Sequence, residues 1–175
     1  MRRKVGPLVV VVALSGCATT SEHAGHGATP YAGQQSRDIK ALSADEARGY
    51  AEGAGMGFAK AAELNGYPGP MHALENGDAL GLTPAQRGAI EALMRAHKAE
   101  ARGLGVEVLR LERELDALFA SRRASASTVD AKLAEIAAVQ ARLRASHLKA
   151  HIATTALLTP EQVDRYNRSR GYASH

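Results

Sequence analysis

The sequence predicts an all-α protein built on a long antiparallel helical hairpin with shorter flanking helices. Three observations carry this. Two long segments repeat apolar residues at alternating steps of four and three, the spacing of helices packed lengthwise on one another. Helix-capping residues stand at the start of each segment, with glycine or short polar runs between them. Aromatic residues are only 4% of the chain and Trp is absent, which leaves too few bulky side chains for a β-sandwich or a deep globular core.

The N-terminus reads as a targeting segment over residues 1–16. Arg2, Arg3 and Lys4 precede an apolar run at residues 5–14, which is too short to span roughly 30 Å of hydrocarbon as a mature helix. Leu14-Ser15-Gly16-Cys17 follows and resembles the lipobox of bacterial lipoproteins, which implies cleavage before Cys17 and a lipid anchor on its thiol. Cys17 is the only cysteine, so no disulfide can form within one chain. Ala18 follows it rather than an aspartate, which in such lipoproteins points to the outer membrane facing the periplasm. Removing the leader lowers Lys+Arg from 22 to 19 against 18 Asp+Glu, a net charge of about +1. With so few aromatics, that balance argues against a nucleic-acid partner.

Residues 17–42 read as a flexible tether, rich in Ser, Thr, Gly, Ala and Gln and without apolar periodicity; it contains His23 and His26. A helical domain is expected over residues 43–175. Ser43 and Glu46 make a capping box for a first helix running to Leu64, with Gly49, Gly53, Gly57 and Ala61 along one face as a close-contact surface. Gly53-Ala54-Gly55-Met56-Gly57 is not a nucleotide loop, because Phe58 stands where the third glycine belongs and no strand precedes it. A turn at residues 67–70 leads to a short helix over residues 71–80.

The hairpin is expected at about residues 84–157. Thr83 caps its first helix with Pro84 in the first turn, and the stripe runs Ile90, Met94, His97, Ala101, Leu104, Val108, Leu111, Leu115, Leu118. Gly103 and Gly105 interrupt the stripe, as a bend or as a seat for a close neighbour. Residues 121–127 supply the break. Thr128 then caps a second helix with stripe Val129, Leu133, Ile136, Gln140, Leu143, His147, Ala150, Thr154, Leu157. Leu158-Thr159-Pro160-Glu161-Gln162 starts a last short helix.

The Leu-Thr-Pro-x-Gln pentapeptide thus occurs twice, as Leu82, Thr83, Gln86 and as Leu158, Thr159, Gln162, at the two ends of the hairpin. Two such motifs around a helical hairpin in an exported chain resemble the Spy/CpxP family of LTxxQ periplasmic proteins, which includes zinc-resistance-associated proteins and heavy-metal sensors. The likeness covers roughly residues 81–172. It implies a helical, often dimeric and cradle-shaped protein without catalytic machinery. Chaperone members hold unfolded clients without ATP. The lipid anchor and the glycine-faced helix depart from the soluble chaperones.

The expected function is therefore that of a non-enzymatic envelope lipoprotein, an ATP-independent chaperone or stress adaptor. Its partners would be unfolded clients or an envelope sensor, the membrane through Cys17, and a second copy of the chain. Charge is compatible: residues 17–81 carry 4 basic and 8 acidic side chains, and residues 82–175 carry 15 and 10. A basic hairpin can steer clients, or pair with its own acidic N-terminal part.

The alternative function is heavy-metal binding or sensing. His147 and His151 stand at i,i+4, a spacing at which two imidazoles reach one ion. With the hairpin reversing near Ser125, His97 lies opposite about residue 153, close to the level of His151. Met94 is a soft fourth donor, favouring copper, nickel or cobalt over magnesium, and the ion expected is a divalent transition metal: zinc, copper, nickel or cobalt. A histidine in an apolar stripe is more often a satisfied interior or surface residue than a ligand, and these three suit that reading as well. His147-Leu148-Lys149-Ala150-His151 lacks the glutamate of a zinc protease, and no nucleophile elbow or phosphate loop occurs, so no enzyme is expected.

Overall fold

A computed structural model describes residues 29–172. Cys17, His23, His26 and His175, and with them the leader and most of the tether, lie outside the described residues. The chain divides into a unit of residues 1–32, of which a turn closed by the Ala32 amide on the Thr29 carbonyl is described, and a unit of residues 33–175. The second unit is all-α. Its helices are α1 (Ala44–Glu52), α2 (Lys60–Glu63), α3 (Pro70–Glu75), α4 (Gly77–Leu80), α5 (Pro84–Ala120), α6 (Ala126–Ala156) and α7 (Pro160–Ser169), with no strand among the described residues.

The hairpin is α5 against α6. Helices of 37 and 31 residues extend roughly 45–55 Å at 1.5 Å per residue. The alternating stripe is the buried seam: Ile90, Ala101, Val108 and Leu111 of α5 and Leu143 and Thr154 of α6 are nearly inaccessible. Leu133 is the exception, 47% exposed where the stripe expects it covered. The reversal spans residues 121–125, with Arg122 in the left-handed region at φ 57. Ser125 rather than Thr128 caps α6. Thr128 sits at the third helical position, where its amide donates to Ser125 Oγ (3.3 Å) while its hydroxyl accepts the Ser125 amide (2.9 Å).

Residues 43–64 do not form one helix. The Ser43/Glu46 capping box starts α1 as expected, but α1 stops at Gly53, whose φ of 59 closes it. A Cβ there would lie 2.7 Å from the Arg102 backbone nitrogen, so this position must be glycine for contact as well as for conformation. The four-residue glycine spacing therefore marks a break rather than a continuous small-residue face. Besides Gly53, close backbone approach occurs at Gly105, where a Cβ would fall 1.9 Å from the Tyr50 carbonyl oxygen, and α5 runs through it unbroken. The expected helix 71–80 is likewise divided at Asn76 into α3 and α4.

Packing extends upstream of Ser43, into the stretch read as tether. Ile39 is 3% exposed in the cluster with Tyr50, Leu104 and Val108, and Leu42 packs against it. Lys40 pairs with Asp116 at 2.8 Å and Arg113 with Asp38 at 2.9 Å. One buried isoleucine flanked by charges carries no periodicity for a sequence pattern to detect.

The two pentapeptides come together at the open end of the hairpin. Thr83 and Thr159 each cap their helix in a full capping box with the following glutamine. The two glutamines then bond each other reciprocally: Gln86 Nε2 donates to Gln162 Oε1 (2.8 Å) and Gln162 Nε2 to Gln86 Oε1 (3.0 Å). Their remaining amide hydrogens reach the Leu157 and Gly81 carbonyls. A threonine that caps, a proline that starts the helix, and a glutamine that answers both the cap and its counterpart give the motif a physical reason.

Candidate functional site

Between the α1–α2 turn, α3 and the hairpin lies a cavity of about 540 Å³, lined by Met94, His97, His147 and His151 together with Met56, Met71 and His72. All four ligands expected from sequence thus line one cavity. The register differs from expectation. His97 meets His147, edge to face with ring centroids 4.5 Å apart, rather than His151. The hairpin reverses a few residues before Ser125, which slides α6 along α5 and brings the earlier histidine opposite.

Each imidazole has a distinct hydrogen-bond setting. Ser146 Oγ donates to Glu100 Oε2 (2.8 Å), so it accepts from His97 Nδ1 (3.2 Å) and fixes the proton there. His151 Nδ1 lies 2.7 Å from the Tyr67 carbonyl, which can only accept, so this nitrogen also carries its proton. In the neutral form of either ring Nε2 then keeps a free lone pair. His147 is 5% exposed, and its Nε2 is one of two buried side-chain polar atoms among the described residues without a hydrogen-bond partner. The other is Asn167 Oδ1.

Burial pushes the His147 pKa down to about 4, helped by His97, His151 and Lys98 nearby. Burial also lowers His97, against an opposing pull from Glu100. Both rings are therefore neutral at pH 7, the protonation state that ligates metals. Phe58 packs 5.5 Å from the His147 ring and completes its dry side. Among the described residues, no three His, Cys, Asp or Glu side chains are grouped to hold one ion. The expected three-histidine convergence is therefore incomplete. His97 and His147 are joined, while His151 is held toward Tyr67, with Glu63 Oε2 at 3.6 Å from its Nδ1.

Glu63 anchors the opposite wall. Its Oε1 accepts from the hydroxyls of Tyr166 (2.7 Å) and Tyr172 (3.1 Å) and pairs with Arg170 (3.3 Å). Tyr166 is fully buried, and burial together with its bond to Glu63 raises its pKa, so the phenol stays a donor. Sequence reasoning misses Glu63, Tyr67, Met56 and Met71, which come from turns and short helices without a periodic signal. Ser146, adjacent to His147, and the methionine count were the legible hints. His72 bonds Glu75 Oε2 through Nδ1 at 2.8 Å and lines the cavity.

No curated protein and no solved structure matches the chain. The sequence profile of the heavy-metal resistance family matches residues 53–165, which takes in the α1–α2 turn, both long helices and both pentapeptides. By that match, and by the paired glutamine caps at the ends of its hairpin, the chain belongs to the heavy-metal resistance family of Spy/CpxP-like LTxxQ helical proteins.

Proposed function

We propose that this protein serves heavy-metal resistance by binding a transition-metal ion in the histidine-lined cavity. The observation that carries the reading is the buried His147 Nε2, neutral and without a partner, set against His97, whose Nδ1 proton is fixed by Ser146. A buried polar atom left unsatisfied costs about 1–3 kcal/mol, a cost that a bound ion would remove by taking the Nε2 lone pair with the proton held on Nδ1. His97 and His147 are the inner donors and Met94 the neighbouring one. His151 joins by rotating away from the Tyr67 carbonyl. The lipobox-like Leu14–Cys17 supports an envelope location, where such a site would meet incoming metal first.

Calorimetric titration of the full chain with zinc, copper, nickel and cobalt tests this. A stoichiometric site of micromolar affinity, about −8 kcal/mol, that disappears in His147→Ala is the expected result. Absence of binding by all four, in a protein that remains helical, refutes it.

The chaperone reading draws on four exposed apolar side chains of the hairpin: Val106, Phe119, Leu133 and Ile152, each 47–58% exposed. With His97 opposite His147, Ile152 lies level with about residue 92, roughly 40 Å along the axis from Phe119. Apolar residues scattered over that length are ordinary surface, whereas a client-holding patch is contiguous. The cavity supports metal binding more directly.

A further inference from the structure

We infer that the cavity selects a soft monovalent ion, Cu(I) or Ag(I), held by the His97 and His147 imidazoles together with the thioethers of Met56, Met71 and Met94. This rests on the metal-binding reading above and narrows it to one class of ion.

The chain has four methionines, and the three beyond Met1 all line this cavity. They arrive from separate elements: the turn after α1, helix α3, and helix α5. Methionine commonly fills irregular gaps in a core. Met56 and Met71 do not, being 40% and 47% exposed. Met56 is held at φ 43, a left-handed conformation that a methionine adopts only at a cost, and such strain concentrates at ligand sites.

The donor count points the same way. No three His, Cys, Asp or Glu side chains among the described residues are grouped for one ion. A protein zinc site is almost always tetrahedral and built from nitrogen, thiolate or carboxylate donors. Thioethers are poor ligands for it but select Cu(I). Two imidazoles with one or two of the three thioethers at a time complete the low coordination number that Cu(I) and Ag(I) accept, the remaining thioether exchanging into the same site.

Charge adds a third argument. Lys60, Lys98 and Arg170 line the cavity, and its one lining carboxylate, Glu63, already serves Arg170 and two tyrosines. A dication would enter without a free counter-charge, and a monocation pays a far smaller desolvation penalty there.

The test uses the full chain carrying His23→Ala and His26→Ala, which silences the histidines near the N-terminus. Cu(I) affinity is measured anaerobically by competition with a chromogenic chelator, and Co(II) and Zn(II) affinities by calorimetry. Ag(I) is added to protein labelled at the methionine methyl groups, and their resonances are followed by NMR. The expected results are preferential Cu(I) binding and Ag(I)-dependent shifts of the Met56, Met71 and Met94 methyls. The Met56→Leu/Met71→Leu variant should lower the ratio of Cu(I) to Co(II) affinity about 10–100-fold. Leucine preserves volume and keeps the variant folded. Divalent binding with no Cu(I) preference, unshifted methionine methyls, or an unchanged ratio in the double variant overturns the soft-ion inference and leaves the metal-binding reading standing. Failure of every ion to bind overturns both.

Discussion

Two polar pairs are enclosed along the hairpin, and they are opposites. At the open end, Gln86 and Gln162 satisfy each other and every remaining amide hydrogen. Eleven residues along α5, roughly 16 Å, His97 and His147 meet with the His147 Nε2 left without a partner. A closed pair holds helices together. An open one leaves a buried ring nitrogen unpaired. The family's motif residues belong to the first kind and so report the fold, while the proposed binding chemistry draws on residues outside the motif.

Breaking the closed pair should have the largest effect on stability. Gln162→Ala removes the acceptor of the Thr159 amide and the donor to Gly81, and strands the Gln86 side chain. The expected loss is about 3 kcal/mol, seen as a shift in urea midpoint and a fall of roughly 10 °C in Tm. A cycle with Gln86→Ala should show a coupling of about 1–3 kcal/mol. Additive effects would mean that the glutamines cap their own helices without locking the two ends together.

The next effect is a pH dependence confined to the open pair. His147 titrates at about 4 in the folded chain against a reference of 6.5, because burial, His97, His151 and Lys98 all disfavour its charge. The unfolded chain therefore binds the extra proton first. Stability from this group is complete above pH 6.5 and is lost as pH falls toward 4. His97 shifts in the same direction, with Glu100 opposing. Urea unfolding of the metal-free protein should show a decline of about 2 kcal/mol between pH 7 and pH 4.5, with much of that slope absent from His147→Leu. An identical slope in the variant would place the proton uptake elsewhere.

The closed pair and the open pair differ also in how far sequence reveals them. The hairpin is readable because its apolar stripe repeats over many turns, and the caps because Ser, Thr and Pro act locally. The glutamine lock is half-readable: each motif gives its own cap, but nothing in a five-residue string says that two glutamines will meet. The histidines reach one cavity by a spacing argument, yet their pairing depends on where the chain reverses. A shift of a few residues there exchanges His151 for His147 opposite His97. The glycine run after α1 misleads because a four-residue period suits a helix face as well as a series of turns, and periodicity does not encode the positive φ of Gly53, Met56 and Gly57. Met56 reaches the cavity from that run, Glu63 from α2 and Met71 from α3, so their place there follows from tertiary packing alone.

A smaller effect of opposite sign sharpens the contrast. His147→Leu should raise the stability of the metal-free protein at pH 7 by about 1 kcal/mol, because an apolar group replaces a buried unsatisfied one beside Phe58. Metal binding should be lost. Gain of stability with loss of ligand is the signature of a site kept open at the expense of the fold. A destabilised variant would show that His147 packs as an ordinary interior residue.

The smallest effect tests whether the open pair is held in readiness. Ser146 is buried and carries the link from His97 Nδ1 to Glu100. Ser146→Ala removes one hydroxyl from the relay and leaves the ring in place, so unfolding should change by less than about 1 kcal/mol. Metal affinity should fall roughly tenfold all the same, because the proton on His97 is no longer tied to Nδ1 and the ring orientation loosens. Ser146→Thr keeps the hydroxyl and should recover most of the affinity. The split between an almost silent stability change and a clear loss of binding separates a positioning residue from a structural one. If Ala and Thr variants bind metal equally, the Ser146 relay merely satisfies its own hydroxyl, and the orientation of His97 comes from its packing against His147.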